Sequence, residues 1–292
     1  MLRFVNLTLA GISGGMVFAA LALALVMIFR ATRVINFAQG AMLMITTFIA
    51  WTVLHHSGSY WLALAGALGS GLLLGAVTER VLIRPMENKP PLNAVVVTLG
   101  LLVLLNALAG MIWGNTPRSY PSAFSLEGFK VGGVRLLFSP ADLFTIGAVA
   151  LMVIALVLLF RWTALGLQMR AAAYAPEIAR LLGVRVGRML TTGWALSAMV
   201  GSLAGVLIAP SVFVGPAQFD LVLVYAFTAA IIGGLESPVG AVVGGLLLGC
   251  VLSYVSGYAG SETTPLGALA VLMAVLVLRP SGLFGSSAGR TV

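Results

Sequence analysis

The amino-acid sequence predicts an all-α polytopic membrane protein with about eight to nine transmembrane helices, a broken or re-entrant segment among them. Three observations predict it. The 292 residues are 60% apolar with mean hydropathy +1.10, more apolar surface than a soluble core can use. Only 8% of residues are charged, and they gather between long apolar runs whose backbone is satisfied only inside helices. Nowhere do polar and apolar residues alternate in the runs of about ten that mark a β-barrel. The chain reads as one transmembrane domain, residues 1–292.

The formal net charge of +8 does not point to nucleic acid. The arginines lie between spans, where they set topology and meet anionic membrane lipid. Cys250 is the sole cysteine and sits in an apolar run, which excludes an internal disulfide and a Cys-based metal site.

The first run, 1–29, carries only Arg3 before Phe29 and is too long for the apolar core of a signal peptide, so it reads as a span. Arg30 and Arg33 then precede Val34-Ile-Asn-Phe-Ala-Gln-Gly-Ala41. Asn36, Gln39 and Gly40 suit a lipid-facing helix badly, yet strongly apolar sequence follows to Leu54. Two readings fit: a helix that begins or breaks beside a polar cavity, and a plain interfacial helix start. The adjacent His55 and His56 point apart on a helix and lack further ligands, so no metal site is expected. Trp51, Tyr60 and Trp61 read as aromatic belt.

A third span over 61–83 contains Gly71-xxx-Gly75, a close-packing signal. It ends at Glu79-Arg80 and Arg84-Pro85, and Arg80, Arg84, Lys89, Pro90 and Pro91 read as a cytoplasmic turn. A fourth span, 92–113, carries Thr98, Gly100 and Asn106. The linker 114–139 mixes Arg118, Lys130, Arg135 and Glu127 with prolines, Gly and Ser, which fits an external loop with a short hairpin. A fifth span covers 141–160.

The most unusual stretch follows, Arg161–Arg188, with five arginines and one glutamate between charge-free runs. Pro176 suits a first helical turn, Glu177 complements the positive helix end, and Gly183 suits the stop. Ile178, Leu181 and Leu182 share a face, while Ala179 and Arg180 turn elsewhere. The pattern fits a helix that docks a soluble partner, and it also fits one resting on lipid headgroups.

The sixth span, 189–209, shows Ser197-xxx-Gly201-xxx-Gly205 and is expected to stop at Pro210. Residues 211–219 read as re-entrant or surface chain. Apolar stretches 221–235 and 239–256 flank Gly233-Gly-Leu-Glu-Ser-Pro238, and the second carries Gly240-xxx-Gly244 and Gly245-xxx-Gly249. A last span over 264–278 meets Arg279-Pro280 and a polar tail. Positive-inside counting places 80–90, 161–188 and the C-terminus in the cytoplasm. That requires an odd number of crossings from an outside N-terminus, or eight with one re-entrant pair.

No ionisable residue lies mid-span: Glu79, Asp142, Asp220 and Glu236 sit at ends or breaks. Proton-coupled carriers normally hold a carboxylate or histidine at depth, so self-powered transport is disfavoured. A phosphate-cradling loop needs Gly-Lys, and the two lysines follow Asn88 and Phe129. No nucleophile–base set is evident, so neither catalytic residues nor a bound metal is expected. The chain reads as a path moved by energy from elsewhere.

Four phrases in order carry a resemblance: VINFAQG (34–40), RPMENKPPLNAVVVTLGL (84–101), MRAAAYAPEIARLLGV (169–184) and IIGGLESPVGAVVGGLLLG (231–249). LRPSGLFG (278–285) adds a fifth. Together they resemble the LivH-type permease subunit of branched-chain amino acid ABC transporters. The resemblance implies that Ala175, Pro176, Glu177, Ile178, Ala179, Arg180, Leu181, Leu182 and Gly183 form the coupling helix loop that enters a cleft of an ATPase subunit. The family loop often has Glu-Ala-Ala where this chain has Glu177-Ile178-Ala179, a departure at Ile178. It further implies two ABC ATPase subunits, a second homologous permease forming a heterodimer, an external substrate-binding protein and residence in the bacterial inner membrane. ATP and Mg would bind the partner ATPases, with no cofactor on this chain.

The breaks at Asn36, Gln39 and Gly40 and at Gly233 and Gly234, with Thr98, are the candidate substrate path. Free backbone groups and helix ends there suit a zwitterion, and the alternative is that these glycines only allow tight turns. Related subunits also serve urea, amides and other small organic solutes. A secondary carrier or channel, working without ATPases, is the alternative from a different class. A purely structural subunit would leave uptake intact when deleted.

Overall fold

The computed structural model describes residues 2–86, 89–131 and 134–285. The chain runs α1 (Leu2–Thr32), α2 (Gln39–Ser57), α3 (Tyr60–Thr78) and α4 (Pro91–Trp113). After a loop come α5 (Pro140–Trp162), α6 (Ala164–Tyr174), α7 (Pro176–Leu181) and α8 (Val186–Val212). It closes with α9 (Asp220–Gly233), α10 (Pro238–Ala259) and α11 (Thr264–Leu278). Among the described residues, seven helices are long and apolar enough to cross a membrane, and α9 is a shorter apolar one. The 19-residue α2 is bounded by Gln39-Gly40 and by His55-His56. The fold is therefore the all-α polytopic class that composition demands.

The chain divides into two compact units, the first from Met1–Val26, Ser122–Ala148 and Val224–Val292, the second from Met27–Pro121 and Val149–Leu223. Within the second, α3 lies on α8 through the glycines the sequence singles out. A Cβ at Gly71 would overlap Ser202 Oγ, and one at Gly75 would overlap the Trp194 carbonyl and lie 2.8 Å from Ala198 Cβ. The stripe on α8 receives α2: Cβ atoms at Gly201 and Gly205 would strike Gln39 Nε2 and Thr47 Oγ1. Backbones this close gain dispersion contacts that lipid tails could not match. The indole of Trp194 is fully buried here beside Ile28 and Ile83.

Within the first unit, α10 uses two glycine stripes on two neighbours. Gly245 and Gly249 meet Ala19 and Gly15 of α1, while Gly240 and Gly244 meet Gly233 and Ala229 of α9. Ser139 caps α5 by accepting from Asp142 N–H (3.2 Å) while its own N–H donates to Asp142 Oδ2 (2.8 Å), a capping box, and Ser13 Oγ donates to Asp142 Oδ1 (2.6 Å), which ties α5 to α1. The 278–285 phrase folds back here: Leu283 N–H donates to the Ile232 carbonyl (2.8 Å) and Phe284 N–H to that of Gly233 (3.1 Å).

Pro210 does not end its helix. α8 continues through it to Val212: the missing N–H forfeits a single helical bond, and Phe213 N–H still donates to the Ala209 carbonyl (3.0 Å). Residues 213–219 form turns rather than a helix, with Val214 bridged to Arg118 in both directions at 2.8 Å. The expected hairpin is two short antiparallel strands, β1 (Lys130–Val131) and β2 (Val134–Arg135). Burial and, secondarily, neighbouring Tyr60 push the Tyr120 phenol above its usual range, and its buried hydroxyl has no hydrogen-bond partner among the described residues. Glu87 and Asn88 in the 84–101 phrase, Gly132 and Gly133 in the external loop, and the tail from Ser286 lie outside the described residues.

Candidate functional site

The loop 161–188 folds into a compact hairpin. Thr163 caps α6 by accepting from Gly166 N–H (3.1 Å), and Gly166 lets α6 turn back against the backbone of Phe160. Arg170 then donates to the Phe160 carbonyl. α7 starts at Pro176, with Glu177 in its first turn, and ends where Gly183 takes φ 82°. Gly183 N–H donates to the Arg180 carbonyl (3.0 Å) and Val184 N–H to that of Ala179 (2.9 Å), a Schellman closure.

Ala179 is buried, in a cluster with Met169, Ala172, Val186, Met189 and Leu190. The opposite face is open: Ile178 is 60%, Leu181 88% and Leu182 78% exposed. The face is thus presented on a hairpin anchored to the start of α8.

The break before α2 is a second polar assembly in the same unit. Arg33 takes φ 56° and α2 resumes at Gln39. Asn36, Gln39 and Thr98 are buried almost completely. Asn36 Oδ1 accepts from Ala38 N–H (3.1 Å) and its Nδ2 donates to Gln39 Oε1 (3.0 Å). Gln39 Nε2 donates to the Ser197 carbonyl (3.4 Å), and Thr98 Oγ1 donates to that of Val95 (2.9 Å) while lying 3.5 Å from the Ile35 carbonyl. Gly40 abuts Leu223. The structure thus brings Asn36, Gln39 and Thr98 together with Ser197, which the sequence marked only as a small residue.

Gly233 and Gly234 belong to the other unit. Gly234 has φ 100°, and an added Cβ would lie 2.9 Å from Gly285 N, so the position demands glycine. The Ile232 and Gly233 carbonyls are taken by Leu283 and Phe284, leaving neither free for a solute in this conformation.

Sequence reasoning also left Glu79 as the end of a span. It is 1% exposed and paired with Arg84 at 3.1 Å. Pro85, which loosens the helix just beyond Arg84, was the available signal, since five residues of ordinary α-helix set the two side chains apart.

A polytopic helical chain that carries small-residue packing, an anchored loop with an apolar face and a polar helix break is a membrane permease by class. Residues 7–279 match the family described as branched-chain amino acid transport system / permease component, and the chain belongs to that family. The high-affinity branched-chain amino acid transport system permease protein LivH of Salmonella typhimurium is 29% identical, over 97% of this chain and 96% of the relative. BraD of Pseudomonas aeruginosa, described in the same words, is 26% identical over 94% of each chain. Among solved structures, PsaBC from Streptococcus pneumoniae in complex with Fab matches with TM-score 0.52 at 13% identity, covering 97% of this chain and 94% of that one, a likeness of fold alone. The chain is a multi-pass permease of the inner membrane.

Proposed function

We propose that this chain is the transmembrane subunit of an ATP-driven importer of branched-chain amino acids, working by alternating access. An external binding protein delivers the solute, this chain and a homologous permease form the path, and two ATPases that bind ATP and Mg supply the force. The observation that carries the reading is the exposed apolar face of Ile178, Leu181 and Leu182 on a hairpin packed into the start of α8. An isolated six-residue helix is unstable in water, so a capped and anchored one with that face outward is built to receive a partner. Closure of the ATPases would push α7, and glycine-packed helices would then move as blocks.

Asn36, Gln39, Gly40 and Thr98 shape the break beside the route. The Asn36 and Gln39 side chains bond each other and, with Thr98, the backbone, so they hold the break in form while the solute passes. Gly233 and Gly234 act through the turn they permit. Relatives with the same substrate name over nearly the whole length support the solute assignment.

The test is reconstitution in vesicles of the complex with and without its ATPases, following labelled leucine, with isoleucine, valine, urea and acetamide as competitors. Uptake that requires ATP and is blocked by isoleucine and valine supports the reading. Accumulation by the chain without ATPases would make it a secondary carrier, and blockage by urea or acetamide alone would move the substrate class.

A further inference from the structure

We propose that Glu79, Arg84 and Thr191 form a strut that carries movement of the coupling loop into α3, positioning residues distinct from the docking face itself. The inference rests on the coupling reading above and adds its mechanical continuation. Glu79 is buried to 1% exposure beneath a helix end, a costly place for a carboxylate unless it is paired and hydrogen-bonded. Its partners span two elements. Arg84 Nε donates to Glu79 Oε1 (3.2 Å) and Nη2 to Oε2 (3.1 Å). The same Nη2 lies 2.7 Å from both the Gly187 carbonyl and Thr191 Oγ1, sharing its two N–H groups among three acceptors, and the Thr191 hydroxyl lies within donating distance of Glu79 Oε2 (2.6 Å) and the Gly187 carbonyl (2.9 Å).

The pairing depends on a local distortion. In an α-helix, residues five apart lie about 140° around the axis and cannot pair side by side. Residues Glu79–Ile83 instead form a π-turn, in which Arg84 N–H donates to the Glu79 carbonyl and the two side chains fall on one face. Pro85 follows, and its missing N–H and crowded ring account for the loosened helix at that point. Such turns are frequent where a helix does work, and this one faces the first two turns of α8.

The location gives the cluster its use. Gly187 and Thr191 lie on the first turns of α8, immediately after α7, and Val186, Met189 and Leu190 of the same turns pack on Ala179 of α7. Displacement of α7 therefore displaces the start of α8, and the forked guanidinium passes it to α3. The glycine contacts hold α3 against α8 by packing alone, whereas the hydrogen bonds from Arg84 to Gly187 and Thr191 and from Thr191 to Glu79 fix their registry at one end.

Glu79→Gln and Thr191→Val, each in the complete reconstituted transporter, test the strut by the amount of solute moved per ATP hydrolysed. Thr191→Ser is the conservative restoration, and Leu181→Asp is the control for docking. The expected result is that both test variants co-purify with the ATPases and keep binding-protein-stimulated hydrolysis, while solute moved per ATP falls about five- to tenfold, a typical coupling loss. Thr191→Ser should keep the wild-type ratio. A ratio unchanged in Thr191→Val, or uptake and hydrolysis falling together in constant proportion, overturns the proposal, including when Glu79→Gln does not assemble. Should Leu181→Asp leave ATPase association and uptake intact, the docking reading fails instead, whatever the strut variants do.

Discussion

Truncating Leu181 to alanine measures what the exposed face of α7 contributes to partner binding. Complete burial of a leucine side chain stabilises by about 1.5–3 kcal/mol. With Leu181 88% exposed in the free chain, about 1.3–2.6 kcal/mol remains to be gained in a dry groove. Alanine keeps the Cβ and is the best helix former, so α7 itself is not weakened. The loss should then be about 1–2 kcal/mol, a rise of roughly five- to thirtyfold in Kd for the ATPase subunit. Titration of detergent-solubilised permease with that subunit, read by an optical binding sensor, gives the number. Leu126→Ala, on the 114–139 loop and 63% exposed, is the matched control and should leave Kd unchanged. A Leu181→Ala Kd within about twofold of wild type refutes the docking argument, because no burial of that side chain could then occur.

Gly75→Ala should destabilise the chain by about 1–3 kcal/mol in a thermal-shift measurement, since the new methyl meets the rigid Trp194 carbonyl on α8. Gly14→Ala is expected to do the opposite. It has nothing within 4 Å of a new Cβ, and alanine favours the helix by about 0.5–1 kcal/mol. Trp194→Phe should cost less than about 1 kcal/mol despite complete burial, because Trp194 Nε1 has no hydrogen-bond partner among the described residues and its removal offsets the lost ring volume. Gln39→Leu should leave assembly intact and lower ATP-driven uptake; normal uptake would remove the helix break from the route.

The spans were largely legible because lipid imposes long charge-free runs, and the runs beginning near 92, 141 and 264 start within a residue of α4, α5 and α11. Packing faces were legible too. Gly71-xxx-Gly75 and the paired stripes on α10 name the surfaces that make close contact, since only absent side chains allow backbones to approach so nearly. What each stripe touches was not legible, because helical spacing specifies a face and never a partner. The outward set of Ile178, Leu181 and Leu182 followed from periodicity and a stop glycine, both local properties. Pro210 misled because a proline beyond the first turn removes one helical bond without obliging the helix to stop, and Phe213 N–H still closes on the Ala209 carbonyl. Glu79 was hidden for a related reason. Its inward aim depends on a π-turn, and α-helical counting assigns Glu79 and Arg84 to different sides.

The return of Leu283 and Phe284 onto Ile232 and Gly233 has a practical consequence for handling this permease. Stopping the chain at Arg279, at the end of its last crossing, would strand two carbonyls that the native polypeptide satisfies and strip cover from a glycine no other residue can replace. Affinity tags and reporter fusions should therefore be attached beyond Gly285, and poor yield from a shorter version would reflect an unsealed corner of the fold rather than a failure of membrane insertion.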